Sequence, residues 1–179
     1  CYKKAAAIIK KESGPRKAVV VSAMSKVTNG LFELVELARK QDSSYLKRLD
    51  ELKQTHLKTI HELFTGKQEI QTDLIQTLVD KLESDVLSIR DVLKAVSLSR
   101  SCSEQTLEWI AGHGELWSAA ILSAYFSSTG LSCRWLDARQ VLIVTEGETG
   151  PVIDWETSQR RLKEWLHLER PCHDDSVWQ

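Results

Sequence analysis

The sequence predicts an α/β fold: a parallel-type sheet with flanking helices, carrying a long helical hairpin inserted over residues 43–98. Three observations lead there. Residues 18–21 (AVVV) are a continuous apolar run too short for a helix, the pattern of a strand buried on both faces. Leu31, Leu34, Val35 and Ala38 follow at helical spacing, so the small, hydroxyl-rich residues 22–29 form a strand-to-helix loop. Finally, two stretches, residues 45–64 and 69–98, place apolar side chains at threes and fours with charges between them, as two long amphipathic helices do.

The remaining elements follow in order. Ala5, Ile8 and Ile9 alternate with lysines in an amphipathic helix over residues 2–11, stopped by Ser13, Gly14 and Pro15. The next helix runs from about Thr28 to Lys40. Leu46, Leu49, Leu52, Leu57, Ile60, Leu63 and Phe64 make the first stripe of the hairpin. Ile70, Leu74, Leu78, Leu82, Val86, Ile89, Leu93 and Val96 make the second. Ser101 with Glu104 fits a capping box for a helix that reaches Ser128 and stops at Gly130. Residues 132–137 and 141–144 read as strands, the second buried, and residues 146–151 as a turn-rich connection. A last helix, residues 154–168, turns Leu162, Trp165 and Leu166 inward.

Composition bounds the function classes. The 179 residues are 42% apolar and 27% charged, ordinary for a globular domain with a full core. A net charge of −1 provides no basic field for nucleic acid. The longest mostly apolar run, residues 116–126, is broken by Ser118 and Ser123 and is about half of the roughly 20 residues a membrane span needs. Cys1, Cys102, Cys133 and Cys172 lie far apart without paired metal-ligand spacing and read as reduced thiols. Starting at Cys1 inside an apparent helix, the chain is expected to be a piece of a longer polypeptide.

The candidate chemistry sits in residues 22–29 and in the motif GHGELWS, residues 112–118. Gly112 and Gly114 fall inside a predicted helix, where each costs about 1 kcal/mol relative to alanine. Close approach of a ligand or a neighbouring segment would offset that, and Glu115 emerges at the same place. Glu115 is then either a receptor for a cation such as a substrate ammonium or a solvated carboxylate. The loop at a strand's end, with helix amides behind it, suits the opposite charge. Together they outline a receptor for a zwitterion, that is, an amino acid. Thr28 reads as a helix cap or a hydroxyl donor to a carboxylate. Ser22 contacts ligand or satisfies loop amides, and Lys26 faces solvent unless an anion lies nearby. His113 reads as a structural histidine, and His56 and His61 as surface residues. No Walker A motif, dinucleotide fingerprint or nucleophile–base arrangement is visible.

At these residues the chain resembles the aspartate kinases of the amino acid kinase family. VVVSAMSKVTNGL is similar to that family's second strand and following loop, and GHGELWSA with RWLDARQVLIV to its aspartate-binding helix and the strand pair after it. With the long helical insertion, the resemblance is to the kinase portion of bifunctional aspartate kinase–homoserine dehydrogenases. It implies that Glu115 receives the amino group of L-aspartate, that Thr28 is a substrate-binding position and that Ser22 lies beside the site. It also implies phosphoryl transfer from ATP, with Mg²⁺, to the aspartate side chain, the first step toward lysine, threonine and methionine. The family's KFGGTS segment and its Gly- and Thr-rich nucleotide loop do not occur in these residues, so the chain is expected to hold part of the aspartate site, little of the nucleotide site, and no turnover alone. No residue is assigned as catalytic or metal-binding. The resemblance further implies a homo-oligomer in the intact protein, no nucleic-acid or membrane partner, and a cytoplasmic location, or a plastid in a plant. The competing expectation is a non-catalytic module whose helical hairpin binds a partner or an oligomer interface beside a vestigial pocket.

Overall fold

The computed structural model describes residues 2–12, 17–65, 72–147 and 150–168. The chain divides into two compact units, Cys1–Trp135 and Leu136–Gln179.

Among the described residues, the regular structure of the first unit is helical. Its elements are α1 (Tyr2–Lys11), α2 (Val27–Arg39), α3 (Ser44–Phe64), α4 (Thr72–Ser99), α5 (Glu104–Ala111) and α6 (His113–Ser128). The helices predicted from periodicity over α1 to α4 are present, because a stripe recurring at threes and fours can be buried on one side wherever the helix docks. In α2 the buried stripe is Val27, Leu31, Leu34, Val35 and Ala38. In α3 it is Tyr45, Leu49, Leu52, His56, Ile60, Leu63 and Phe64, and in α4 it is Leu82, Asp85, Val86, Ile89, Leu93 and Val96. These stripes close on one core together with Ile110, Trp117 and Ile121. Helices α3 and α4 run past one another in opposite directions: Lys53 pairs with Glu83 at 3.6 Å, and Gln41, just before α3, bonds the Ser97 carbonyl at the far end of α4.

Helix α6 is the hub of this unit. It buries Trp117, Ser118, Ile121, Leu122, Ala124 and Phe126, residues that point to several sides of the helix, as expected of a helix surrounded by protein. On one side Leu122 and Phe126 pack with Ala6 of α1 in a satellite cluster that Val21 also touches. Its end is a Schellman cap: Gly130, at φ 76°, lets the Leu131 N–H reach the Phe126 carbonyl at 3.1 Å.

Three sequence expectations are corrected in this unit. Residues 18–21 are not a buried strand: they carry no regular structure, and Val20 is 96% exposed. A strand obtains its backbone hydrogen bonds from neighbouring strands, and among the described residues of this unit there is none to supply them. The same reason leaves residues 132–135 irregular. The expected single helix ending at Ser128 is two, parted at Gly112, and its cap is Ser103 instead of Ser101: the Thr106 N–H donates to Ser103 Oγ at 3.1 Å. Gly66 and residues 69–71 lie outside the described residues.

In the second unit a 3₁₀ turn (Ala138–Gln140) precedes β1 (Val144–Gly147), β2 (Gly150–Ile153) and α7 (Trp155–Leu168). β1 and β2 pair antiparallel, Val144 opposite Ile153 and Glu146 opposite Pro151. Among the described residues this is the only sheet, so the parallel ladder expected from the sequence is not present in them. The expected buried strand 141–144 reduces to a buried Val141 and an exposed Val144 that opens β1, and part of the expected turn is ladder. Asp154 caps α7 through the Thr157 N–H at 3.0 Å, a contact that holds its carboxyl below the usual range. Leu162 and Leu166 of α7 are exposed, against expectation, and Trp165 is half-buried.

Candidate functional site

Helix α6 begins where α5 ends. His113 bridges the break: its ring is buried, Nδ1 donates to the Trp109 carbonyl at 2.8 Å, and the ring meets Trp109 edge-on at 4.5 Å. This is the structural histidine the sequence suggested. Its effect is to splice α5 to α6, so that the first turn of α6 is held at the loop before α2.

Gly114 is the point of contact. A β-carbon there would lie 2.9 Å from Ala23 Cβ, 3.2 Å from Val27 Cγ1 and 3.6 Å from Leu31 Cδ1. Real carbon pairs sit near 3.5–4.0 Å, so only glycine permits this approach. The cost of a glycine in a helical segment is thus offset by packing of α6 against residues 23–31. One residue on, the half-buried Glu115 reaches across: the Ala23 N–H donates to its Oε1 at 3.4 Å, over a sequence separation of 92. The two stretches singled out in the sequence therefore meet in space.

The other candidates surround this contact. Ser22 is exposed and adjoins Ala23. Thr28 is half-buried in the first turn of α2, next to Val27, which packs at Gly114. Neither hydroxyl bonds the Glu115 carboxylate among the described residues. Lys26 occupies the N-cap position of α2 in the left-handed region, φ 68°, exposed and without a side-chain cap bond. Thr28 therefore does not cap α2; it lies inside the helix. Glu115 and the loop at Ala23 thus form one rim, which Ser22 and Thr28 adjoin in sequence.

Behind the rim lies a buried polar cluster that sequence reading missed. The Trp117 indole N–H donates to Asp85 Oδ2 at 3.0 Å, and Lys81 donates to Asp85 Oδ1 at 2.6 Å. His56, expected at the surface, is fully buried: Nδ1 donates to the Leu52 carbonyl at 2.7 Å, and the ring meets Trp117 edge-on at 4.8 Å. His56 Nε2 has no hydrogen-bond partner among the described residues, and burial pushes the imidazole below its ordinary pKa, opposed by the Leu52 bond. The signal was available. His56 continues the stripe Leu49, Leu52, Ile60 and Leu63, and Asp85 continues Leu82, Val86 and Ile89. His61 is exposed, as expected.

Among the described residues no three His, Cys, Asp or Glu side chains converge as a metal site. Cys102 and Cys133 are half-buried free thiols, and Cys1 and Cys172 lie outside the described residues. No helix is long and apolar enough to cross a membrane among the described residues.

Known proteins share this sequence pattern. The chain is 37% identical over 164 residues to the bifunctional aspartokinase/homoserine dehydrogenase 2, chloroplastic, of Arabidopsis thaliana, covering 91% of this chain and 17% of that protein. It is 30% identical over 170 residues to bifunctional aspartokinase/homoserine dehydrogenase 2 of Escherichia coli (strain K12), covering 93% and 19%. It is 26% identical over 157 residues to aspartokinase 1, chloroplastic, of Arabidopsis thaliana, covering 83% and 26%. The chain thus spans about a fifth of the length of these bifunctional relatives. Residues 1–171 match the sequence pattern of the amino acid kinase family, and on that match the chain belongs to the amino acid kinase family.

Proposed function

We propose that this chain supplies part of the L-aspartate site of an aspartate kinase, with Glu115 receiving the α-ammonium group and Thr28, Ser22 and the amides of residues 22–29 facing the carboxylates. The observation that carries this reading is the meeting of Glu115 with the loop at Ala23. Similarity to relatives named aspartokinases supports aspartate as the substrate. The chloroplastic names of the plant relatives, and their higher identity, support a plastid as the compartment.

The reaction transfers the γ-phosphoryl group of ATP to the side-chain carboxylate of aspartate. A carboxylate oxygen forms the new P–O bond while the bond to the β-phosphate oxygen breaks, giving an acyl phosphate and ADP. The nucleophile is already ionised at neutral pH, so no general base is required, and the rate rests on alignment and charge neutralisation. This chain's share of that work is to bind and orient. Glu115 fixes the ammonium end, which leaves the side-chain carboxylate free to point toward the nucleotide. Among the described residues no three His, Cys, Asp or Glu side chains converge here, and no step through Mg²⁺ or the nucleotide is assigned to these residues. The KFGGTS segment and the Gly- and Thr-rich loop of the family would complete the site.

The test is Glu115→Ala and Glu115→Gln in the intact kinase polypeptide that carries this segment. The reading expects the aspartate KM to rise by about 10- to 100-fold, the size of a lost charge-assisted hydrogen bond, with the ATP KM unchanged. Unchanged aspartate kinetics in both variants would remove Glu115 from the site.

A further inference from the structure

We infer that Gly114 and Ala23 form a matched steric pair that positions the Glu115 carboxylate, so that the size of residue 23 is a determinant of aspartate binding. The inference rests on the aspartate reading of Glu115, and goes beyond it by assigning work to two residues with no functional group.

The spacing is set by carbon. With no side chain at 114, α6 approaches until the space a β-carbon would fill lies 2.9 Å from Ala23 Cβ. Ala23 Cβ is attached directly to backbone and has no rotamer through which to yield, unlike Val27 Cγ1 at 3.2 Å or Leu31 Cδ1 at 3.6 Å. Alanine at 114 therefore forces residue 23 and α6 apart by roughly 0.6–1 Å to reach ordinary contact. The Ala23 N–H to Glu115 Oε1 contact is 3.4 Å, already at the long end for such a bond, so that displacement breaks it. It moves Glu115 relative to Ser22 and Thr28 by the same amount. A 1 Å misplacement of a binding group is enough to lower an enzyme's efficiency by on the order of 100-fold.

Removing the opposing methyl restores the space. Gly114→Ala should therefore be rescued by Ala23→Gly, and the amide coupling and the split between KM and kcat separate lost positioning from lost stability. The first measurement is the backbone amide resonance of residue 23 in this chain. Glu115→Gln should shift it in the wild-type background, leave it nearly unmoved in G114A, and shift it again in G114A/A23G. The second is steady-state kinetics in the intact kinase polypeptide. G114A should raise the aspartate KM by about 10- to 100-fold with kcat and the ATP KM little changed, and G114A/A23G should return it to within a few-fold of A23G alone.

Should G114A not fold, the inference requires A23G to restore folding to the double variant. Coupling that survives G114A, or an A23G change that restores neither coupling nor folding, would overturn the steric pair. Amide coupling that follows the expected pattern, with aspartate KM unchanged in both G114A and E115A, would overturn the link to aspartate and locate the error in the reading of Glu115.

Discussion

The Trp117 indole N–H donates to the Asp85 carboxylate at 3.0 Å, joining α6 to α4 inside the core, and Lys81 completes the shell of that carboxylate at 2.6 Å. Asp85 is 9% exposed and Trp117 3%, so neither the acid nor the indole has water as a ready substitute. The contact anchors α6 two residues beyond Glu115.

Asp85→Ala is expected to lower stability by about 2–3 kcal/mol, because it leaves a buried indole N–H without an acceptor. Asp85→Asn keeps an acceptor and should cost less. Urea denaturation of the three proteins checks the order. Equal stability of D85A and wild type would show that the bond contributes nothing net.

His56 makes stability depend on pH. Burial lowers its pKa in the folded chain, while the unfolded value lies near 6.5. The folded state therefore favours the neutral ring, and the unfolded state takes up the proton first as pH falls. The contribution is whole above about pH 6.5 and is lost progressively below it. Asp85 with Lys81 and the buried His113 are the titratable groups that share Trp117 with His56. His56→Met should flatten the decline in denaturation midpoint between about pH 7.5 and pH 5.5; an undiminished decline would assign it to other groups.

Ser103→Ala removes the bond from the Thr106 N–H that starts α5. The expected loss is about 1 kcal/mol, read as a lower melting temperature, with Ser101→Ala near neutral. The reverse order would reinstate Ser101 as the cap.

Thr28→Val keeps the shape of a half-buried side chain in the first turn of α2 and deletes its hydroxyl. In the intact kinase polypeptide the aspartate KM should rise by about 3- to 10-fold, the size of one neutral hydrogen bond, with the helical circular-dichroism signal retained. A kinetic constant that does not move would leave Thr28 a packing residue.

The helices were legible because periodicity is a local property that survives any choice of partner. α2 buries the stripe that spacing picks out, and α3 and α4 bury most of theirs, with Leu46 exposed and Leu57, Leu74 and Leu78 half-buried. The strands were less legible because apolar continuity describes a surface that wants cover and does not say what provides it. Val19 and Val20 meet every sequence criterion for a buried strand and are exposed. At the site, Gly114 was visible as a glycine out of place in a helix, and Glu115 as the acid beside it. Their partner was not visible, because the Ala23 contribution is a backbone N–H and a methyl group, and neither has a signature in sequence. His56 shows the reverse case: its place in the stripe of α3 was there to be read, and the polarity of histidine argued against it.

The most direct measurement is an NMR titration of this chain with L-aspartate beside one with succinate, which has both carboxylates and no ammonium. The account predicts that aspartate moves the amides of residues 22–29 and 113–116, and that succinate leaves the neighbourhood of Glu115 unmoved at the same concentration. Equal shifts with both ligands, or aspartate shifts confined to other parts of the chain, would contradict it.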